Sequence, residues 1–285
     1  MKKNGKKTIA SIQKLKNNTT PFPTITAYDF PTALIINELD IPIVLVGDSA
    51  SMVVYGYDNT TPITIDELLL VTKAVVRGIK SALVVGDMPF MSYQPSNEQA
   101  VCNAGRFIKE AKVDAVKLEG GLEYVNRIKA IIQSGIPVMG HIGLQPQSIL
   151  KESGYKIQGK NFKSALKVYN DAIALEEAGV FALVLEGVPQ ELAQIITQQI
   201  TIPTIGIGAG SGCDGQIQVM HDVLGMFESP IPKHAHKYID SYATIKKTLQ
   251  QYCAEVTKKT FPNKKHAIKM RAEELKKLKN HLEIT

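Results

Sequence analysis

Eight short apolar runs, each followed by a stretch with helical spacing or a glycine-rich turn, limit what this chain can become. The runs are "TITAY" (24–28), "IVLVG" (43–47), "ALVVG" (82–86), "AVKL" (115–118), "PVMG" (137–140), "ALVL" (182–185), "PTIGI" (203–207) and "VLGM" (223–226). They are short, rich in Val, Ile and Leu, and barely interrupted by polar residues, as strands covered on both faces are. Between them, 31–39, 65–80, 97–112, 121–134, 162–179 and 189–199 place apolar residues at helical spacing. Glycine follows Ser134 and Ala178, and a strand begins at once, a helix-stop signal. Units in series without a polar linker build a closed barrel or an open doubly wound sheet, and eight of them select an α/β fold of the (β/α)8 TIM-barrel type. The chain's 285 residues fit one such barrel. The predicted organisation is a single barrel domain over 1–285, with a basic N-terminal arm (1–18) and a helical C-terminal extension (about 264–285).

Most strands hand over a polar group at their C-terminal end. The first is followed by Asp29, the second by Asp48 and Ser49, the third by Asp87. The fourth offers Lys117 and Glu119, the fifth His141, the sixth Glu186, and the seventh runs into "GIGAGSG". An isolated Asp after a strand is ordinarily a helix cap, and Asp29 fits that role before the 31–39 helix. Independent capping does not put a Lys, two Glu and a His at equivalent places on successive units. In a (β/α)8 barrel these ends converge on one mouth, where active sites sit. Lys117 and Glu119 are two apart, so an extended strand turns both to the same side.

Carboxylates gathered at one mouth repel each other unless a cation lies among them. Oxygen ligands in small number suit Mg2+, and the sequence has no His/Cys spacing for zinc. A half-open Mg2+ can chelate a 2-oxo acid and acidify its neighbouring C–H; Lys117 can then stabilise enolate charge while a Glu takes the proton. A Schiff base at Lys117 is the competing chemistry, and Glu119 opposes it by keeping the amine protonated. The glycines of "GIGAGSG" have dinucleotide-binding spacing but follow the seventh strand, where a tight turn leaving room for substrate is the expectation.

The formal charge of +6 does not signal nucleic-acid binding, because residues 1–18 and 258–285 each carry +6 and the body between them carries −6. Cys102, Cys213 and Cys253 lie far apart, as in a reduced cytoplasmic protein. No apolar run reaches the ~18 residues of a membrane span, and the Lys-rich start lacks the apolar core of a secretory leader.

The chain resembles the ketopantoate hydroxymethyltransferase (3-methyl-2-oxobutanoate hydroxymethyltransferase) family. The matching segments, in family order, are "TITAYD", "VLVGDSASMVVYGYDNTTPIT", "VVGDMPFMSY", "AVKLEGG", "VMGHIGLQPQS", "LVLEGVP", "IGIGAGSGCDGQIQVMHD" and "IPKHAHKY". The resemblance implies a Mg2+-dependent barrel of pantothenate biosynthesis. It transfers the one-carbon unit of its co-substrate, 5,10-methylenetetrahydrofolate, to C3 of 3-methyl-2-oxobutanoate, giving 2-dehydropantoate. Asp48, Asp87 and Glu119 would be the metal set. Ser49 and Lys117, with the two aspartates and His141 beside them, would hold the keto acid, and Glu186 would accept the proton. A Mg2+-dependent C–C lyase or aldolase on a 2-oxo acid is the alternative. Ser51 and Tyr57 stand where the family commonly has Gly and often has His; both lie in the segment after the second strand, which reads as a lid. The resemblance also implies a homo-oligomer, a decamer. In the tail, Ile268, Leu275 and Leu282 recur every seven residues, and this stripe predicts a helix packed at a subunit interface.

Overall fold

The strands β1 (Phe22–Thr26), β2 (Ile43–Val46), β3 (Leu83–Asp87), β4 (Ala115–Glu119), β5 (Val138–Gly143), β6 (Ala182–Glu186), β7 (Thr204–Ile207) and β8 (Gly215–Gln218) close into one barrel. Each pairs in parallel with the next, and β8 pairs with β1. This computed structural model describes residues 5–16, 18–152, 154–228 and 231–284; residues 1–4 and 17 of the basic arm lie outside them. Helices cover the strands, among them Phe30–Glu38, Ile65–Gly78, Asn97–Arg106, Val125–Gln133, Phe162–Ala178 and Gln190–Gln199. Their starts follow from the sequence. Asp29, Thr64, Ser96 and Asn161 each cap a helix by accepting a backbone N–H of its first turn. Asp29 is thus the cap expected of it. Among the described residues no helix is long and apolar enough to cross a membrane.

The two-residue period of the strands decides what the barrel encloses. Leu83 and Val85, Ala115, Met139, and Val184 pack in the interior cluster, and the next residues in phase are Asp87, Lys117 and Glu119, His141, and Glu186. Each of these four strands therefore begins apolar inside and ends polar inside. The opposite phase, with Val84, Val116, Leu118 and Leu183, packs against the helices. The two Val-Gly-Asp motifs differ by one step. In β3 the Asp is the inward residue and Gly86 faces Phe107, where a Cβ would collide with the ring. In β2 the inward residue is Gly47; a Cβ there would lie 3.0 Å from Ser49 Oγ and 3.7 Å from Asp87 Oδ2. Its absence leaves room for the acids.

The barrel floor is plugged by the short helix Ile9–Gln13, which drives Ile12 into the interior cluster at 0% exposure. Behind it Lys16 Nζ meets Asp214 Oδ2 at 3.0 Å and donates to the Thr197 carbonyl at 2.6 Å.

Two elements depart from the expectations. The eighth strand is not "VLGM" but "GQIQ": Val223 and Leu224 close the helix Met220–Leu224, which Gly225 ends in the left-handed conformation at φ 59°. The tail is not one helix from 264. A 3-10 turn at Lys264–His266 precedes the helix Ala272–His281, and Ile268 falls in the exposed segment between them. A Lys-rich stretch without a packing partner cannot carry a long helix on propensity alone. Ahead of it stands a helix that the strand–helix pattern did not include, Ser241–Thr257, also without a buried residue.

Candidate active site

Asp48, Ser49, Asp87, Lys117, Glu119, His141 and Glu186 all line one cavity of about 720 Å³ at the C-terminal mouth. Register explains the meeting. Asp87 pairs with Lys117 across β3 and β4, Glu119 with His141 across β4 and β5, and Gly143 with Glu186 across β5 and β6. Asp48 comes from the turn after β2, and its backbone N–H donates to Asp87 Oδ2 at 3.1 Å. Asp29 is not among the cavity walls.

Lys117 sits at the centre of the charge. Its Nζ is 2.9 Å from Asp87 Oδ1, 3.8 Å from Glu119 Oε1 and 3.2 Å from His141 Nδ1. Burial alone would lower the lysine's pKa, but Asp87, Glu119 and Asp48 outweigh it and hold the ammonium well above its usual range. Asp48 shifts the other way for a carboxylate: burial raises it, and Asp87 and Glu119 push it further. Burial also raises Asp87, against the pull of Lys117. Glu119, although buried, is drawn below the ordinary carboxylate range by His141 and Lys117. Burial and Lys117 would lower His141, but Glu119 and Glu186 lift it to about 9.

Polar capacity is left unused at this mouth. Asp87 Oδ1 is at ion-pair distance from Lys117 but out of line for a hydrogen bond, and no other partner meets it among the described residues. His141 Nε2 likewise faces Glu186 Oε2 at 3.2 Å without hydrogen-bond alignment. Lys117 can only donate, so in the neutral imidazole the ring nitrogen it faces, Nδ1, serves as acceptor and the proton sits on Nε2 on the Glu186 side, while the imidazolium that the raised pKa favours carries a proton on both nitrogens.

These residues fit Mg2+. Asp48 and Asp87 are hard oxygen donors, adjacent, buried and short of positive charge, and Asp87 keeps an unused oxygen. Mg2+ is ordinarily bound by one or two carboxylates with the remaining positions left to water and substrate. No complete cage is present: among the described residues no three His, Cys, Asp or Glu side chains gather as a ready metal site. The arrangement is an open one.

Further residues complete the mouth. Gln147, inside the segment "VMGHIGLQPQS", is 4% exposed and donates through Nε2 to Asp48 Oδ2 and through its backbone N–H to Glu119 Oε2, each at 3.0 Å. Tyr93 donates from its hydroxyl toward the Glu119 carbonyl at 2.9 Å and Gln147 Oε1 at 3.0 Å. Tyr28 Oη lies 2.6 Å from Ser49 Oγ, and burial raises its phenol. Sequence reasoning passed these over: Tyr93 and Gln147 lie well past the ends of their strands, and Tyr28, which closes the run "TITAY", reads as part of that apolar run, whereas β1 ends at Thr26; all three stand in the quoted segments. In the segment after β2, Ser51 Oγ donates to the Asn59 carbonyl at 2.7 Å, and Tyr57 lines the cavity while donating to Glu67 Oε1 at 3.1 Å. At the "GIGAGSG" turn, Gly208 and Gly210 take φ of 61° and 75°, and a Cβ on Gly208 would press on His234, a cavity wall.

The sequence profile described as ketopantoate hydroxymethyltransferase matches residues 6–264. The 3-methyl-2-oxobutanoate hydroxymethyltransferase of Dehalococcoides mccartyi (strain CBDB1) is 52% identical over 272 residues, covering 95% of this chain and 98% of that protein. The enzyme of the same name from Carboxydothermus hydrogenoformans is 51% identical over 271 residues, with 95% and 98% covered. Among solved structures, phosphonopyruvate hydrolase in complex with oxalate and Mg++ superposes with a TM-score of 0.59 at 10% identity, over 97% of this chain and 96% of that one. That likeness is one of fold.

Proposed function

The chain belongs to the ketopantoate hydroxymethyltransferase family, and from that premise we propose how its mouth carries out the family's reaction. The protein transfers the hydroxymethyl unit of 5,10-methylenetetrahydrofolate to C3 of 3-methyl-2-oxobutanoate, with water supplying the hydroxyl, and yields 2-dehydropantoate and tetrahydrofolate. The observation that carries the reading is the buried, cation-poor group of Asp48, Asp87, Glu119 and Lys117 beside Glu186 in one cavity.

Asp48, Asp87 and Glu119 are the residues that would hold Mg2+. When bound there, Mg2+ supplies a Lewis acid for the keto and carboxylate oxygens of the substrate. Lys117 and Ser49 hold the keto acid from the side of those oxygens. As the C3 proton leaves, negative charge grows on the keto oxygen, and the Lys117 ammonium, kept charged by Asp87 and Glu119, is preorganised to meet it. That same charge keeps the amine from acting as a nucleophile, so borohydride with substrate should trap no adduct on Lys117.

Glu186 accepts the C3 proton. His141 Nε2, 3.2 Å from Glu186 Oε2, is the ion-pair neighbour of that carboxylate. Water replaces the folate nitrogens on the one-carbon unit, which releases tetrahydrofolate and leaves the carbon at the formaldehyde level; the carbanion at C3 attacks that carbon, and the resulting alkoxide takes up the proton held by Glu186 to become the hydroxyl. A small keto acid fills only part of the 720 Å³; the remaining walls, with Met52, Tyr57, Tyr155 and Phe227, are the apolar ground for the folate. The reaction needs no membrane or nucleic acid and belongs in the cytoplasm. The protein works as a homo-oligomer, a decamer, in which the tail stripe, with Leu275 on the helix Ala272–His281 and Leu282 just past it, both exposed in the single chain, packs at a subunit interface; light scattering of the full chain and of one lacking 264–285 reads the mass directly.

The test is product formation by the purified protein with Mg2+, with and without 5,10-methylenetetrahydrofolate. 2-Dehydropantoate appearing only with the co-substrate is expected. Cleavage of a 2-oxo acid without folate would move the protein to the lyase reading.

A further inference from the structure

Gln147 stands on the 3-10 turn Pro146–Ser148, after β5, yet it touches groups from three other units of the mouth. Its amide nitrogen has two protons and meets two acceptors, Asp48 Oδ2 and the Met88 carbonyl, each at 3.0 Å. Its amide oxygen meets the Tyr93 hydroxyl at 3.0 Å, and its backbone N–H meets Glu119 Oε2 at 3.0 Å. We propose that Gln147 is a positioning residue, which fixes one oxygen of Asp48 so that the other remains for the cation and substrate, and which holds Glu119 by one oxygen with its second turned to Lys117 and His141. The proposal rests on the reading of this mouth as a Mg2+ site.

The direction of the amide is dictated by its neighbours. Turned over, its oxygen would face a carboxylate and a carbonyl, and its nitrogen would face the Gln94 amide nitrogen that now donates to the Gln147 oxygen at 3.4 Å. Tyr93 holds the oxygen in place and is itself buried at 1% exposure, edge-on to Tyr124 with ring centroids 5.3 Å apart. The amide thus has one orientation and delivers a fixed donor to Asp48.

The neutrality of that donor matters. Lys117 already supplies positive charge on the Asp87 side. A second cationic side chain against Asp48 would neutralise the carboxylate and compete with a metal. An amide binds one oxygen and leaves the charge intact. The backbone N–H does the same at Glu119, whose Oε1 is left to Lys117 and His141. Outer partners of this kind ordinarily change metal affinity by about 10–100-fold when removed.

Gln147→Met keeps nearly the same side-chain volume and the backbone bond to Glu119, and deletes the donor to Asp48. Titration of Mn2+ into the purified protein, read by the electron-spin signal of the free ion, measures the dissociation constant without turnover. Wild type is expected to bind, and Gln147→Met to bind about 10–100-fold more weakly with a metal-free melting temperature close to wild type. In steady state the apparent Mg2+ requirement should rise by a similar factor while kcat recovers at saturating Mg2+. Should Gln147→Met fail to fold, Tyr93→Phe, which frees the amide oxygen, is expected to weaken binding in the same direction by a smaller factor. Unchanged Mn2+ affinity in the folded variant would overturn the positioning role and leave the metal reading standing; a wild type that binds no Mn2+ would overturn both.

Discussion

The barrel buries a lysine–aspartate pair at each end, and the two are finished differently. At the floor, Lys16 meets Asp214 and the Thr197 carbonyl, and Asp214 Oδ2 also accepts from the Thr204 amide at 2.8 Å and hydroxyl at 3.0 Å. The cation faces the acid, and the Thr204 amide and hydroxyl donate to the same carboxylate. At the mouth, Lys117 meets Asp87, but Glu119 and Asp48 crowd the same ammonium, and both Asp87 Oδ1 and His141 Nε2 keep polar capacity unused. Burial is common to both. What distinguishes the mouth is a surplus of one charge and polar atoms left for an ion, a substrate or water to meet.

That contrast can be broken at several places. The largest effect is expected at the mouth: Glu186→Gln should lower kcat by about 10²–10⁴-fold, the usual contribution of a general base, with the melting temperature unmoved. Asp87→Asn should retain the fold and lose affinity for Mn2+ or Mg2+, seen by titration, with chelation abolishing turnover in wild type and Mg2+ restoring it. At the floor the prediction reverses. Lys16→Met strands a buried carboxylate and should destabilise the protein by about 3–5 kcal/mol in denaturant unfolding, while kcat of the folded protein stays at the wild-type value. Thr204→Val removes the hydroxyl that donates to Asp214 Oδ2, accepts from the Asp214 amide at 3.2 Å and pairs with Thr197 Oγ1 at 2.8 Å, and should cost about 1–3 kcal/mol, again without a kinetic effect. A floor variant that altered kcat, or a Glu186→Gln protein that melted early with full activity, would erase the distinction between the two ends.

Much of this was readable before any coordinates. Strands β2 to β7 are buried on both faces, so their runs stand out, and the phase of Lys117 and Glu119 on β4 follows from spacing alone. Strand β8 was not readable because "GQIQ" turns one apolar side chain, Ile217, to the interior and otherwise shows polar residues or Gly215, which lies against Phe22. The helix Ser241–Thr257 lies beyond the repeating strand–helix units, and its apolar stripe of Ile245, Leu249, Tyr252 and Val256 is exposed rather than buried. In the site, the residues that end strands were legible because position in the repeat is a local property. Gln147 was not, because its meaning lies in partners 99 residues away at Asp48 and 54 away at Tyr93, and only barrel closure brings them together.

The account's central claim is that this mouth removes the C3 proton of a 2-oxo acid through Glu186. It is tested most directly by incubating 3-methyl-2-oxobutanoate with the Mg2+-supplied protein in deuterated water, without folate, and following the C3–H signal by NMR. The wild type should exchange that proton for deuterium, and Glu186→Gln should exchange it at least about 100-fold more slowly. Exchange at the wild-type rate in Glu186→Gln would contradict the assignment and place the base elsewhere, with His141 the next group in line.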